Sequence, residues 1–253
     1  MFCKMYLSLI LGWRDDCKLM RATIKRYDRG WIEAQSQAFW DAFVRHYVDS
    51  GILADLEEMA KSRHKVYIFS GVIRDFFLNI DDISRDVDIV LSGKTLDNVL
   101  TDGLKAINQF GGAKVQKNGL TIDVWCLPRT WGIRKKKVHS TPDELIMTSF
   151  FNFSSIVYDY KKNRFIVGDA FLEFMNNHTL DYVYPDNPYP DLCVVNTLYY
   201  SQKMNCGISE RLKHWIHQHE VGTMFHDYEG VQRKHFGKVL YDNQMVENFI
   251  KSI

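Results

Sequence analysis

Two aspartates stand two residues apart inside a run that otherwise favours burial, Arg85-Asp-Val-Asp-Ile-Val90. The branched apolar residues predict a strand over Val87–Leu91, and side chains alternate faces along a strand, so Asp86 and Asp88 share a face. Neighbouring carboxylates repel, and burying unpaired charge is costly, so a fold that keeps both must bring a cation to them. An isolated Asp-x-Asp is more often a turn or a solvated face; the apolar residues around this one set it apart. A third acid, Asp123, lies in a similar run, Leu120-Thr-Ile-Asp-Val-Trp125. Three carboxylates on adjacent strands make the hard oxygen set that magnesium prefers, and can hold two ions about 3.5–4 Å apart. Asp86, Asp88 and Asp123 are therefore the expected catalytic and metal-binding residues, with Mg2+ as the cofactor.

Just upstream, the apolar run Val66-Tyr-Ile-Phe69 predicts a buried strand, and Ser70-Gly71 a tight turn into a short helix carrying Arg74. Free backbone N–H groups at such a turn suit an anion, and an arginine one helical turn on adds a charged contact to phosphate. Ser70, Gly71 and Arg74 are the expected nucleotide-binding residues.

The rest of the chain reads as mixed α and β followed by a helical third. Apolar spacing predicts helices within Trp31–Asp49 and over Ile52–Lys61, and a further helix over Leu96–Asn108. Asn118-Gly119 between two apolar runs predicts a hairpin of Ala113–Gln116 with Leu120–Trp125. Thr141-Pro-Asp-Glu144 combines an N-cap, a proline at the first helical position and a capping-box acid, so a helix should run from there to about Phe150. Asn152–Tyr158 and Asn163–Val167 read as strands, and Asp191–Met204, Ser209–His219 and Glu229–Ile250 as helices.

Ser70-Gly-Val-Ile-Arg-Asp75 followed by Arg85-Asp-Val-Asp-Ile-Val90 resembles the head domain of CCA-adding enzymes and bacterial poly(A) polymerases. These are polymerase-beta-like nucleotidyltransferases with the pattern G-G-x-x-R-D and then R/K-D-x-D. The resemblance covers about residues 52–210. It matches Gly71, Arg74, Asp86 and Asp88 one for one, and Asp123 falls where the family carries a third acid. It implies an α/β (α+β) nucleotidyltransferase head with a small mixed sheet over 52–175, an N-terminal helical extension over 1–51 and a neck-like helical region over 176–253. It further implies transfer of a nucleoside monophosphate from a nucleoside triphosphate to a hydroxyl, with an RNA end of the tRNA kind as acceptor.

The sequence departs from the pattern at several positions. Ser70 replaces the first glycine, Ser149 and Phe150 stand at an arginine and an aspartate position, and Cys193 and Asn196 replace two later arginines. Those family residues help to hold and read the nucleotide, and the tRNA-gripping body and tail of the family are not expected here. Two alternatives stay open: a nucleotidyltransferase acting on a protein or small molecule, and a non-catalytic nucleotide-binding module.

Composition narrows the partners. With 32 Lys+Arg against 31 Asp+Glu, the 253-residue chain has no global basic field, so any RNA contact must be local. Arg134-Lys-Lys-Lys137 beside Trp131 is such a patch, expected either to grip an acceptor backbone or to be a solvated loop. The five scattered cysteines form no CxxC pair and suit a reducing cytoplasm. Tyr6–Trp13 reads as a buried segment, not a signal peptide, and no run reaches the ~20 apolar residues of a membrane span. Spacing alone completes no metal set around His214, His217 and His219.

Overall fold

The computed structural model describes residues 26–62, 64–80, 86–96, 103–108 and 111–253. Tyr6–Trp13 and Arg85 lie outside the described residues. Seven strands form one mixed sheet: β1 (Val66–Phe69), β2 (Asp86–Leu91), β3 (Leu104–Ile107), β4 (Ala113–Lys117), β5 (Leu120–Cys126), β6 (Ile156–Asp159) and β7 (Arg164–Val167). Their order is β3-β4-β5-β2-β1-β6-β7, and the β2–β5 pair is parallel while the other neighbours are antiparallel.

The period-two pattern of each strand sorts the sheet into two faces. Val87, Ile89 and Leu91 of β2, with Ile122 and Val124 of β5, are fully buried in the main core. Helices α1 (Arg29–Ala34), α2 (Ser36–Tyr47), α3 (Ile52–Lys61) and α4 (Gly71–Phe77) contribute to that core through Ile32, Phe39, Leu56 and Ile73. Phe39 is its aromatic hub, with ring centroids 4.9 Å from Tyr158 and 5.2 Å from Phe165.

The other face is only half covered. Short helices α5 (Trp131–Lys136) and α6 (Pro142–Met147) bury Ile133, Leu145 and Ile146 against Tyr67, Val90 and Val157. Gly132 lets these helices close up, since a Cβ there would lie 2.6 Å from the Thr148 Cβ. The same face of β2 and β5 continues past them toward Asp88, Asp86 and Asp123, and there the acids stand.

A helix α7 (Asp169–Asn177) then leads to the helical third: α8 (Pro190–Lys203), α9 (Glu210–Gly222), α10 (Tyr228–Phe236) and α11 (Asn243–Ser252). A two-stranded parallel ribbon, β8 (Thr179–Leu180) with β9 (Gly207–Ile208), fastens the start of this third to the end of α8. Val194, Leu212, Ile216 and Val246 belong to the same contiguous core as the sheet. Among the described residues no helix is long and apolar enough to cross a membrane.

Several local expectations need correction. Leu104–Ile107 is an edge strand paired with β4, not part of a helix, because the ladder to Ala113–Val115 satisfies its backbone. Asn152–Ser154 is a turn of 3-10 helix before β6, and α6 stops at Met147. Trp131–Lys136 is helical, where a loop was one reading. The last expected helix is two, α10 and α11, parted by Gly237 in the left-handed region (φ 72°). The capping expectation fits: Thr141 accepts from the Glu144 N–H at 3.2 Å.

Candidate active site

The parallel β2–β5 pair brings the acids together. Asp88 lies directly opposite Asp123 in register, and Asp86 lies opposite Thr121 two residues earlier on the same face. A cation faces them from the next strand: Lys114 of β4 pairs with Asp123 in register, its Nζ 3.1 Å from Asp123 Oδ2. The hairpin carried this information in sequence. Counting back from the two-residue turn, Lys117 meets Leu120 and Lys114 meets Asp123.

Burial and like charge act together on the acids. Desolvation, then the Asp123 and Asp86 charges, push the Asp88 carboxyl up to about 7, with Lys114 and Arg74 opposing. A carboxylate held this far from its ordinary range by burial and by two neighbouring acids is a site that favours added positive charge. The donor set is three carboxylates of hard oxygen ligands, which fits a divalent cation such as magnesium.

Asp88 and Asp123 open onto a cavity of about 630 Å³. Its lining takes Phe69 and Ser70 from the β1 turn, Trp125 and Thr130 from the β5 end, and Asn196 and Tyr200 from α8. The Trp125 indole N–H donates to Thr130 Oγ1 at 3.0 Å, and the Trp125 ring meets Phe69 edge-on at 6.0 Å. Phe150, Phe151 and Phe153 are buried and also line it, so these aromatics serve core and cavity at once. Ser149, Cys193 and Asn196, three positions where the sequence lacks family arginines, border this one space. Asn196 Oδ1 is buried without a hydrogen-bond partner.

The expected nucleotide-binding residues divide. Ser70 lines the cavity in a backbone conformation (φ 53°, ψ −96°) that normally calls for glycine. Its hydroxyl is held 2.7 Å from that of Ser154, which ties the turn to the segment before β6. Gly71 opens α4. Arg74 is buried and does not line the cavity: Nε and an Nη donate to Asp75 Oδ1 at 2.7 and 2.6 Å. Its guanidinium sits 4.8 Å from the Tyr200 ring centroid and 5.2 Å from that of Phe153. Its charge reaches Asp88 through the field rather than by contact.

Two contributors were not expected from the sequence. One is Lys114. The other is His235 near the end of α10, which lines the cavity from the far side of the chain. The protein around it holds its pKa below the ordinary value, Asp86 and Asp123 pull the other way, and Lys114 adds to the lowering. No local spacing links residue 235 to the acids; only the return of the C-terminal helices brings it there.

The basic patch is exposed on α5, whose first residue, Trp131, lines the cavity. Lys135 Nζ is 4.0 Å from Asp186, and Lys136 Nζ lies 5.4 Å from the Tyr184 ring centroid. The patch and the residues around 184–186 therefore sit side by side near one end of the cavity.

No protein family and no curated protein matches the sequence. Solved structures do match the fold. A CCA-adding enzyme in complex with ATP superposes with a TM-score of 0.59 at 16% identity, over 83% of this chain and 53% of its own. The fold resembles that of CCA-adding enzymes. The Thermotoga maritima CCA-adding enzyme complexed with tRNA gives a TM-score of 0.58 at 15% identity, over 90% of this chain and 52% of its own. A tRNA nucleotidyltransferase complexed with a primer tRNA and an incoming ATP analogue gives 0.51 at 16%, over 66% and 50%. The chain spans about half the length of these structures.

Proposed function

We propose that the chain is a metal-dependent nucleotidyltransferase that joins a nucleoside monophosphate, taken from a nucleoside triphosphate, to a hydroxyl at an RNA end. The observation that carries this reading is the in-register pairing of Asp88 with Asp123, with Asp86 on the same face, at the edge of a cavity large enough for a nucleotide. The structural likeness to enzymes solved with ATP and with tRNA supports it.

Asp86, Asp88 and Asp123 would hold magnesium. When bound, the metal supplies charge neutralisation for the triphosphate and lowers the pKa of the attacking hydroxyl. The chain's own residues do the positioning. Lys114 holds Asp123 in place and offers positive charge beside the acids. Trp125, Phe69 and Tyr200 offer aromatic surface to a base, and Asn196 Oδ1 offers an unused acceptor to an exocyclic amino group. The Ser70 turn, stapled to Ser154, fixes the backbone between β1 and α4.

The test is incubation of the full chain with each labelled nucleoside triphosphate, magnesium and RNA lacking its 3′ end. Label in RNA that is lost with Asp88→Asn supports the reading. Label in protein instead would move the acceptor to the first alternative. Tight nucleotide binding without any transfer would leave the non-catalytic module.

A further inference from the structure

Away from the acids, three side chains from separate parts of the helical third meet at one point. Asp191 stands in the first turn of α8, His219 near the end of α9, and His226 in the connection between α9 and α10. His219 Nε2 lies 2.7 Å and His226 Nδ1 lies 2.8 Å from the same oxygen, Asp191 Oδ1. All three ligand atoms fall within 4.8 Å of one another, and the side chains are only 13–16% exposed. Local spacing joins no acid to these histidines, because Asp191 lies 28 residues before His219. The neighbouring His217 goes elsewhere, its Nε2 pairing with the Ile253 carbonyl at 3.2 Å.

The geometry points to a zinc site formed by Asp191, His219 and His226, which pins the α9–α10 connection to the start of α8. A zinc ligand histidine presents one ring nitrogen to the metal and donates the other N–H to a nearby acceptor. Both rings have that second partner. His219 Nδ1 lies 3.3 Å from Thr223 Oγ1, and His226 Nε2 lies 3.4 Å from the Glu220 carbonyl and 3.5 Å from its carboxylate. The carboxylate is oriented too, since Asp191 Oδ2 accepts from the Asp227 N–H at 2.8 Å. Stacking fixes both ring planes, His219 on Trp215 and His226 on Tyr228, at 5.7 and 5.0 Å between centroids.

Two neutral imidazoles and one carboxylate make an N2O set, and zinc accepts these ligands at about 2.0–2.2 Å, leaving a fourth tetrahedral position for water. Ligand atoms on such an ion stand roughly 3.3 Å apart, so the two histidine–aspartate edges must open by only about half an ångström. On binding zinc through the nitrogen that faces Asp191, an imidazolium would release that proton to solvent, and a neutral ring would carry its single proton on the other nitrogen. The site would brace the cavity from two sides, since α8 carries Asn196 and Tyr200 into it and α10 carries His235. It does not depend on the proposed transfer activity.

The full chain, stripped with EDTA and dialysed, is titrated with Zn2+, and bound metal is counted by mass spectrometry alongside the melting temperature. One tightly bound equivalent and a Tm higher by several degrees are expected. Both should be lost in His219→Ala and in Asp191→Asn but kept in Asp88→Asn, which removes an acid of the other site. Absence of a stoichiometric ion at micromolar zinc overturns the site, as does an ion retained by His219→Ala. Should those variants fail to fold, Co2+ on the unaltered chain decides. Intense visible absorption marks a four-coordinate centre with nitrogen ligands, and the faint bands of six-coordinate cobalt overturn the proposal.

Discussion

Burial, with the Asp123 and Asp86 charges behind it, raises the Asp88 carboxyl, and the consequence for stability has a definite sign. Its folded pKa of about 7 lies above the unfolded carboxylate value. The folded state therefore binds the proton more tightly, and metal-free stability falls as pH rises from about 4 to about 7, then levels off. Asp88→Asn removes that penalty. In EDTA the variant should melt at a higher temperature than the unaltered chain at pH 8, with the gap closing toward pH 4. A change of about 1 kcal/mol corresponds to ~2–4 °C for a chain of this size. Differential scanning fluorimetry across pH measures it, and an equal gap at pH 4 and pH 8 would exclude a charge origin.

Ser70 sets a second residue-scale test. Its positive φ with ψ −96° suits glycine, and such strain costs on the order of 1–3 kcal/mol. The hydroxyl contact to Ser154 returns about 1 kcal/mol. Ser70→Gly should therefore be close to neutral or stabilising, whereas Ser70→Ala keeps the strain and strands the Ser154 hydroxyl. Urea denaturation should rank glycine above alanine by ~1–3 kcal/mol; equal midpoints would show that the turn is unstrained.

At the scale of elements, what could be read in advance depended on whether the deciding contact was local. The β4–β5 hairpin was legible because Asn118 and Gly119 both take positive φ, 46° and 81°, and the turn fixes the register. The α6 start was legible because Thr141 caps it within four residues. Leu104–Ile107 was not, since its partner strand lies beyond a loop and its composition carries no period that excludes a helix. The acids were legible as a same-face pair, and their meeting with Asp123 follows from parallel pairing. His235 and the Asp191–His219–His226 triangle were not legible, because helix packing alone assembles them.

Helix α5 offers the element-scale prediction. Lys135, Lys136 and Lys137 are exposed, and the helix begins with the cavity-lining Trp131. If these lysines hold an acceptor RNA, the triple change to glutamine should weaken RNA binding alike across sequences. The slope of log affinity against log salt should also flatten by about 0.7 for each lost contact to a single strand. Fluorescence anisotropy at several salt concentrations measures it. An unchanged slope would make the patch a solvated surface and favour a protein or small-molecule acceptor.

For the whole molecule, the decisive feature is that one apolar core runs from Ile32 to Ile250. The first described helices are tied to α7: Tyr27 and Asn176 exchange two hydrogen bonds of 2.8 Å, and Arg29 pairs with Asp169 at 2.8 Å. The last helices return to the sheet side through Leu212, Ile216, Val246 and Ile250. A chain whose segments share one core should lose it cooperatively, whatever boundaries its sequence invites. Equilibrium unfolding in urea should then give coincident transitions from far-UV circular dichroism and tryptophan fluorescence. Single-tryptophan variants sharpen the test, because Trp40 stacks near Tyr158 in the main core and Trp215 lies on α9 against Phe150. Chains retaining only Trp40 or only Trp215 should show the same midpoint for both probes. A Trp215 transition well below that of Trp40 would mean that the helical third unfolds by itself. The cavity wall carried by α8 and α10 would then be a separately folding unit.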